Sequence, residues 1–173
     1  MPDWFHSVLP TTDGGCIAIG ATRSFGFGDI TNTDGYSVKI NVDGDTAWSH
    51  TFGTINSEEA QSVIEKDFGY LVSGYNVSPV NGSYEFYAVQ YDASGNQQWE
   101  NYYGGTSTEF CINSVGLPDN YAVLCGSSSS YTNGSSDMYV VKIDGDGNQV
   151  ADAHFGGAGN ESAYGITRTL DGG

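Results

Sequence analysis

The sequence predicts an all-β fold made of repeated four-stranded antiparallel units, and three observations carry that prediction. Apolar residues alternate with period two, as in YAVQY from Tyr87 and YVVKI from Tyr139, which is the spacing of a strand with two distinct faces. Turn-forming clusters separate these runs: DGG at 13–15, DGD at 43–45 and DGDGN at 144–148 supply the residues that tolerate positive φ. The composition agrees, with 25 Gly against 4 Pro, 12 Tyr, 8 Phe and 3 Trp, and only 15% charged residues. Ser, Thr, Asn and Gly take the place of charge, as in turn-rich β proteins. No segment sustains a helical stripe, so almost no helix is expected.

The units follow one period. WSHTFG at 48–53, WENYYG at 99–104 and ADAHFG at 151–156 align Phe52, Tyr103 and Phe155. Asp13, Asp67 and Asp119 are each followed seven residues later by glycine, at Gly20, Gly74 and Gly126, and Asp171 continues the series. Asp34 with Tyr36 and Val38, Glu85 with Tyr87 and Val89, and Asp137 with Tyr139 and Val141 form a third marker. Three independent markers with one period define an internal repeat. In the second copy the strands are expected at 59–65, 70–76, 84–91 and 97–103.

Four antiparallel strands in a unit of this length make a β-propeller blade, whose faces are buried only against neighbouring blades. The chain then holds blade 1 at 3–53, blade 2 at 54–104 and blade 3 at 105–156, with 157–173 supplying the first strand of a fourth. A length of 173 residues suits this single domain. Trp48 and Trp99 are expected to fill the wedge between adjacent sheets, a task that Val150 or Ala151 fills less well in the third copy.

The runs DGGCIAIGATRSFG, SDMYVVKIDGDGNQV and FGGAGNESAYGITRTLDGG resemble the tandem β-propeller repeats of secreted and cell-surface proteins of bacteria and archaea. The resemblance covers nearly the whole chain and implies an extracellular or cell-surface binding or structural role. The sequence departs from the family pattern at Ala151 in place of Trp, at Gln90 where Lys39 and Lys142 stand in the other copies, and at Asn120–Tyr121 in place of a Gly pair.

Propellers close with four to eight blades, so three leave two raw faces. Further blades of a longer chain, or copies associating head to tail, are expected to cover them. The net charge of −16 repels polyanions, which excludes nucleic acid as a partner. The opening MPDWFHSVLP lacks a basic segment followed by an apolar run, so no export signal is expected in it, and no apolar run is long enough for a membrane span. Cys16, Cys111 and Cys125 show no metal-binding spacing. A hairpin turning near Pro118 would set Cys111 opposite Cys125, as a disulfide or as two buried thiols.

Candidate sites follow from the repeat. Glu58, Glu109 and Glu161 each lie five residues after a blade-closing glycine, and Asp3 holds the matching place before blade 1. They are expected either to ring a channel mouth and hold Ca²⁺, the one cofactor considered, or to accept backbone N–H bonds within their own loops. Asp34, Glu85 and Asp137 are expected to act as strand-end staples with Lys39 and Lys142 nearby. DGDGN reads as a hairpin turn, because the sixth and twelfth positions of a calcium loop would fall on Gln149 and Phe155. His6, His50 and His154 occupy unrelated places, so no catalytic set can be assembled from them.

The loops at 23–34, 76–83 and 127–136 differ most between copies. Arg23, Phe25, Phe27, Asp29, Asn81, Tyr131 and Asn133 therefore mark the face expected to contact a glycan or protein ligand. The functional expectation is a noncatalytic extracellular propeller scaffold. The alternatives are a polymer subunit joined through blade edges, and a Ca²⁺-dependent enzyme acting on polysaccharides.

Overall fold

A computed structural model describes residues 2–27, 31–132 and 135–170. Twelve strands and no helix are present among them. The first sheet holds β1 (Trp4–Pro10), β2 (Cys16–Thr22), β3 (Asp34–Ile40) and β4 (Thr46–Phe52). The second holds β5 (Glu59–Lys66), β6 (Gly69–Val77), β7 (Tyr84–Tyr91) and β8 (Gln97–Tyr103). The third holds β9 (Glu109–Gly116), β10 (Ala122–Ser128), β11 (Asp137–Ile143) and β12 (Gln149–Phe155). Each sheet is a meander in which sequence neighbours pair antiparallel.

The turns explain why the chain reverses where it does. Asn41, Asp92 and Asp144 each aim Oδ1 at two backbone N–H groups of their own turn: Asp43 and Asp45, Ser94 and Asn96, Asp146 and Asn148. Gly44, Gly95 and Gly147 supply the positive φ. DGDGN is therefore a hairpin turn.

A bulge in the first strand of each sheet accounts for the glycine seven residues after the aspartate. The register shifts between Phe5 and Ser7 in β1, between Ala60 and Ser62 in β5, and around Cys125–Gly126 where β10 meets β9. The bulged strand closes on Gly20, Gly74 and Gly126, where an added Cβ would sit about 2 Å from the carbonyl oxygen of Trp4, Glu59 or Phe110.

The sheets pack in chain order, and the middle one sorts its side chains to two cores. Tyr70, Val72, Tyr87, Val89 and Tyr91 pack with Ile17, Ile19 and Phe52 of the first sheet. Leu71, Phe86, Ala88 and Tyr103 pack with Cys111, Leu124, Tyr139 and Val141 of the third. Strict alternation along β6 and β7 thus buries both faces. Trp48 and Trp99 edge these two cores, and each reaches the turn of the next sheet. Trp48 donates to Ala93 O at 3.4 Å and covers Gly95, while Trp99 donates to Gly145 O at 3.1 Å and covers Gly147. In the third sheet Ala151 holds this place and is exposed.

Residues 157–170 differ from the expected fourth opening strand. They form no strand, although Asn160 bridges Ser136 in parallel and Ala163 N donates to Gly126 O at 3.1 Å. The segment lies along the third sheet without building a ladder. Trp99→Ala is expected to cost about 3 kcal/mol in chemical denaturation. Ala151→Trp, whose site opens to solvent, should change stability far less.

Candidate functional site

The four recurring carboxylates accept hydrogen bonds from nearby protein groups: Glu58 and Glu161 within their own loops, Glu109 within its loop and from the end of β10, and Asp3 from the end of β2 and the residues after it. Glu58 accepts from Thr54 N at 3.0 Å and Thr54 Oγ1 at 2.6 Å. Glu109 accepts from Gly105 N and from the hydroxyls of Ser128 and Ser130. Glu161 accepts from Gly157 N at 3.1 Å, and Asp3 from Thr22 Oγ1, Arg23 N and Ser24 N. Glu58 and Glu109 are fully buried, so neither faces an open mouth. These donors, the Thr22 hydroxyl first, hold Asp3 down at about 2. No group of three His, Cys, Asp or Glu side chains among the described residues is arranged to hold a metal ion.

Each of the recurring glutamates Glu58, Glu109 and Glu161 has an acidic neighbour from the third strand of the preceding sheet. Asp34 Oδ1 and Glu58 Oε2 lie 2.3 and 2.8 Å from the point where a Cβ on Gly53 would sit. Asp137 Oδ1 and Glu161 Oε2 bracket Gly156 in the same way, at 2.3 and 2.6 Å, and Glu109 approaches Gly104 beside Glu85. The closing glycine is thus required by contact: only a residue without Cβ fits between two carboxyl groups. Burial pushes Asp34 up to about 6, and the Glu58 charge adds to it against the Phe27 N–H bond. Burial also raises Glu85, partly offset by its Asn81 and Ser78 hydrogen bonds.

The lysines do not partner these acids. Lys39, almost wholly buried, pairs with Asp13 at 2.8 Å and donates to Ile40 O, while Lys142 lies 4.7 Å from the Tyr121 ring. The reason is strand length: Asp34 and Lys39 stand toward opposite ends of β3.

Of the variable-loop residues the structure brings Asn81 and Tyr131 together, on the carbonyls of Gly105 and Gly104. Arg23 lies over Trp4 at 5.7 Å and Phe25 stacks on Tyr36 at 5.8 Å. Asn81 donates to Glu85 at 2.6 Å and to Gly105 O at 2.8 Å, so it staples its loop. The Tyr131 ring lies against Tyr139 and His154, and its hydroxyl donates to Gly104 O. Asp29 and Asn133 lie outside the described residues.

Cys111 and Cys125 do not face each other across the hairpin. Cys111 is opposite Gly126 and Cys125 opposite Asn113. The turn closes between Leu117 and Tyr121 with Asp119 and Asn120 at positive φ, one residue beyond the expected centre, and the bulge adds a further shift. Both are free, buried thiols, and Cys16 is also free.

Sequence reasoning missed a crevice of about 240 Å³ between the last strand of the first sheet and the outer half of the second. His50, Thr51 and Phe52 from β4 face Tyr87 and Tyr91 from β7 and Gln97, Glu100 and Tyr102 from β8, with Phe27 and Asn76 completing the lining. His50 stacks on Tyr91 with centroids 4.5 Å apart and planes 6° from parallel. Glu100 accepts from Tyr87 Oη at 2.9 Å and Gln97 Nε2 at 3.2 Å. Asn76 Oδ1 and His50 Nε2 are buried with no hydrogen-bond partner. No single stretch of sequence signals this crevice, because two different sheets build it.

No protein-family model matches the chain, and no curated protein matches it. Among solved structures it is similar to Sqt1 from Chaetomium thermophilum, with 14% identity and a TM-score of 0.46. The similarity covers 90% of this chain and 36% of that one, and at this level it carries no argument about function.

The raised Asp34 carboxyl gives a pH dependence with a definite sign. A carboxyl whose folded pKa exceeds its unfolded value binds more protons when folded, so its contribution is present below pH 4 and is lost as pH rises through about 6. Between pH 5 and 7 the wild-type melting temperature should fall with rising pH. Asp34→Asn should flatten that slope. Gly53→Ala, at a φ of +152° and with two carboxyl oxygens in the way, should destabilise the fold by about 2 kcal/mol or more, read by urea denaturation.

Proposed function

We propose that the chain is a noncatalytic binding and assembly scaffold, made of three consecutive propeller blades and acting outside the cell or at its surface. The carrying observation is the contrast between inner and outer faces. Two sheet-to-sheet contacts are filled by apolar clusters, while the faces at the two ends of the stack present apolar side chains without a neighbouring sheet.

On the first sheet the register aligns Phe5 with Gly20 and Tyr36, and Val8 with Ala18 and Val38. Phe5 and Val8 are 55% and 62% exposed. These positions correspond to those of the second sheet that are buried against the first. On the third sheet Val140 aligns with Cys125 and Ala153, and Met138 with Ser127 and an exposed Phe155. Sheets apolar on both sides need a covering layer, and further blades, from a longer chain or a second copy, supply the matching surface. The loop staples favour a structural role for the carboxylates over calcium chemistry.

Light scattering over a concentration series tests this reading. The purified chain should associate with rising concentration, and Val8→Glu should hold it monomeric with its strand content unchanged. A discrete limiting mass would indicate ring closure, and continuous growth a polymer. A chain that stays monomeric and fully folded at high concentration contradicts the proposal. Millimolar Ca²⁺ should leave the melting temperature unchanged, because the carboxylate oxygens already accept protein donors.

A further inference from the structure

We propose that the crevice between β4 and the β7–β8 pair binds a neutral sugar residue, which rests on the scaffold reading and names a ligand class and a site for it. The crevice of about 240 Å³ has room for one pyranose ring. Its walls combine flat rings with hydrogen-bonding groups, and that mixture suits a molecule with an apolar C–H face and a rim of hydroxyls.

Two unsatisfied groups indicate the ligand's chemistry. Asn76 is 3% exposed and its Oδ1 has no donor, while its Nδ2 reaches Tyr102 Oη at 3.4 Å. His50 Nε2 is likewise buried without a partner, and stacking on Tyr91 holds its ring in place. Buried polar groups are nearly always satisfied, so two left open on one crevice call for a ligand that donates or exchanges hydrogen bonds. A hydroxyl does both.

Glu100 sets the charge preference. Tyr87 and Gln97 orient its carboxylate from within the protein, and its remaining lone pairs accept from ligand hydroxyls. The same charge, on a chain of net −16, repels phosphates and acidic sugars. A quaternary ammonium would suit the rings and the carboxylate but has no hydrogen to give Asn76 Oδ1. The observations together select a neutral polyol ring.

Saturation-transfer difference NMR, with titration of any binder, tests the proposal on the intact chain using D-glucose, D-galactose, D-mannose and N-acetyl-D-glucosamine, with choline and glucose 6-phosphate as contrasts. At least one neutral sugar should bind saturably. Asn76→Ala should weaken that binding about tenfold, the equivalent of one hydrogen bond. Gln97→Ala, at an exposed position, should weaken it with an unchanged melting curve. Silence from all four sugars at tens of millimolar on folded protein overturns the proposal. So does binding that both variants leave intact, or binding confined to choline or to the phosphate. Light scattering on the same samples keeps this result separate from assembly: silent sugars leave the scaffold reading standing, and a monomeric chain that binds sugar leaves the crevice standing.

Discussion

The structure depends on the packing of one β-sheet against the next. A four-stranded sheet with apolar residues on both faces cannot be covered by water on either side without loss, and this chain answers by stacking three such sheets in sequence. The second sheet shows the constraint most fully. Along β7 the residues Phe86 and Ala88 turn one way and Tyr87 and Val89 the other, and all four are buried. The run YEFYAVQY is buried along almost its whole length for this reason, Glu85 and Gln90 included, whereas the last strands β4, β8 and β12 carry polar, exposed positions.

Local chemistry then fixes how closely the sheets and their connections approach. The tryptophan of one sheet covers the turn glycine of the next, so the hairpin turn serves both as a chain reversal and as a contact surface. The carboxyl pairs around Gly53 and Gly156 pin the connection between one sheet and the first strand of the next. Taking a carboxylate out of water is costly unless a proton neutralises it, and burial accordingly raises the Asp34 carboxyl, with the Glu58 charge adding to the effect. Stability at the Gly53 junction is therefore coupled to pH through Asp34.

Much of this was legible in the sequence because strand spacing and turn chemistry are local. The expected strands of the second unit agree with β5 to β8 to within a residue at each end, since alternation, Asp-Gly turns and the tryptophans all act over short range. What was not legible depends on geometry between elements. The Cys111–Cys125 pairing failed because a five-residue turn and a bulge displaced the hairpin register. Lys39 and Lys142, expected near Asp34 and Asp137, run instead to Asp13 on a neighbouring turn and over the Tyr121 ring. The period placed Glu58, Glu109 and Glu161 correctly as a recurring set, yet only the coordinates show that Thr54, Gly105 and Gly157 supply their donors. The crevice at His50 and Asn76 was invisible for a related reason: its walls belong to separate sheets.

Amide hydrogen exchange, resolved strand by strand, tests most directly whether mutual burial of sheets holds the molecule together. β6 and β7, covered on both faces, should exchange most slowly, with β2 and β3 faster because only one of their faces is packed on another sheet. Equal protection of all three sheets in the monomeric chain, or slower exchange in β2 and β3 than in β6 and β7, would contradict the account.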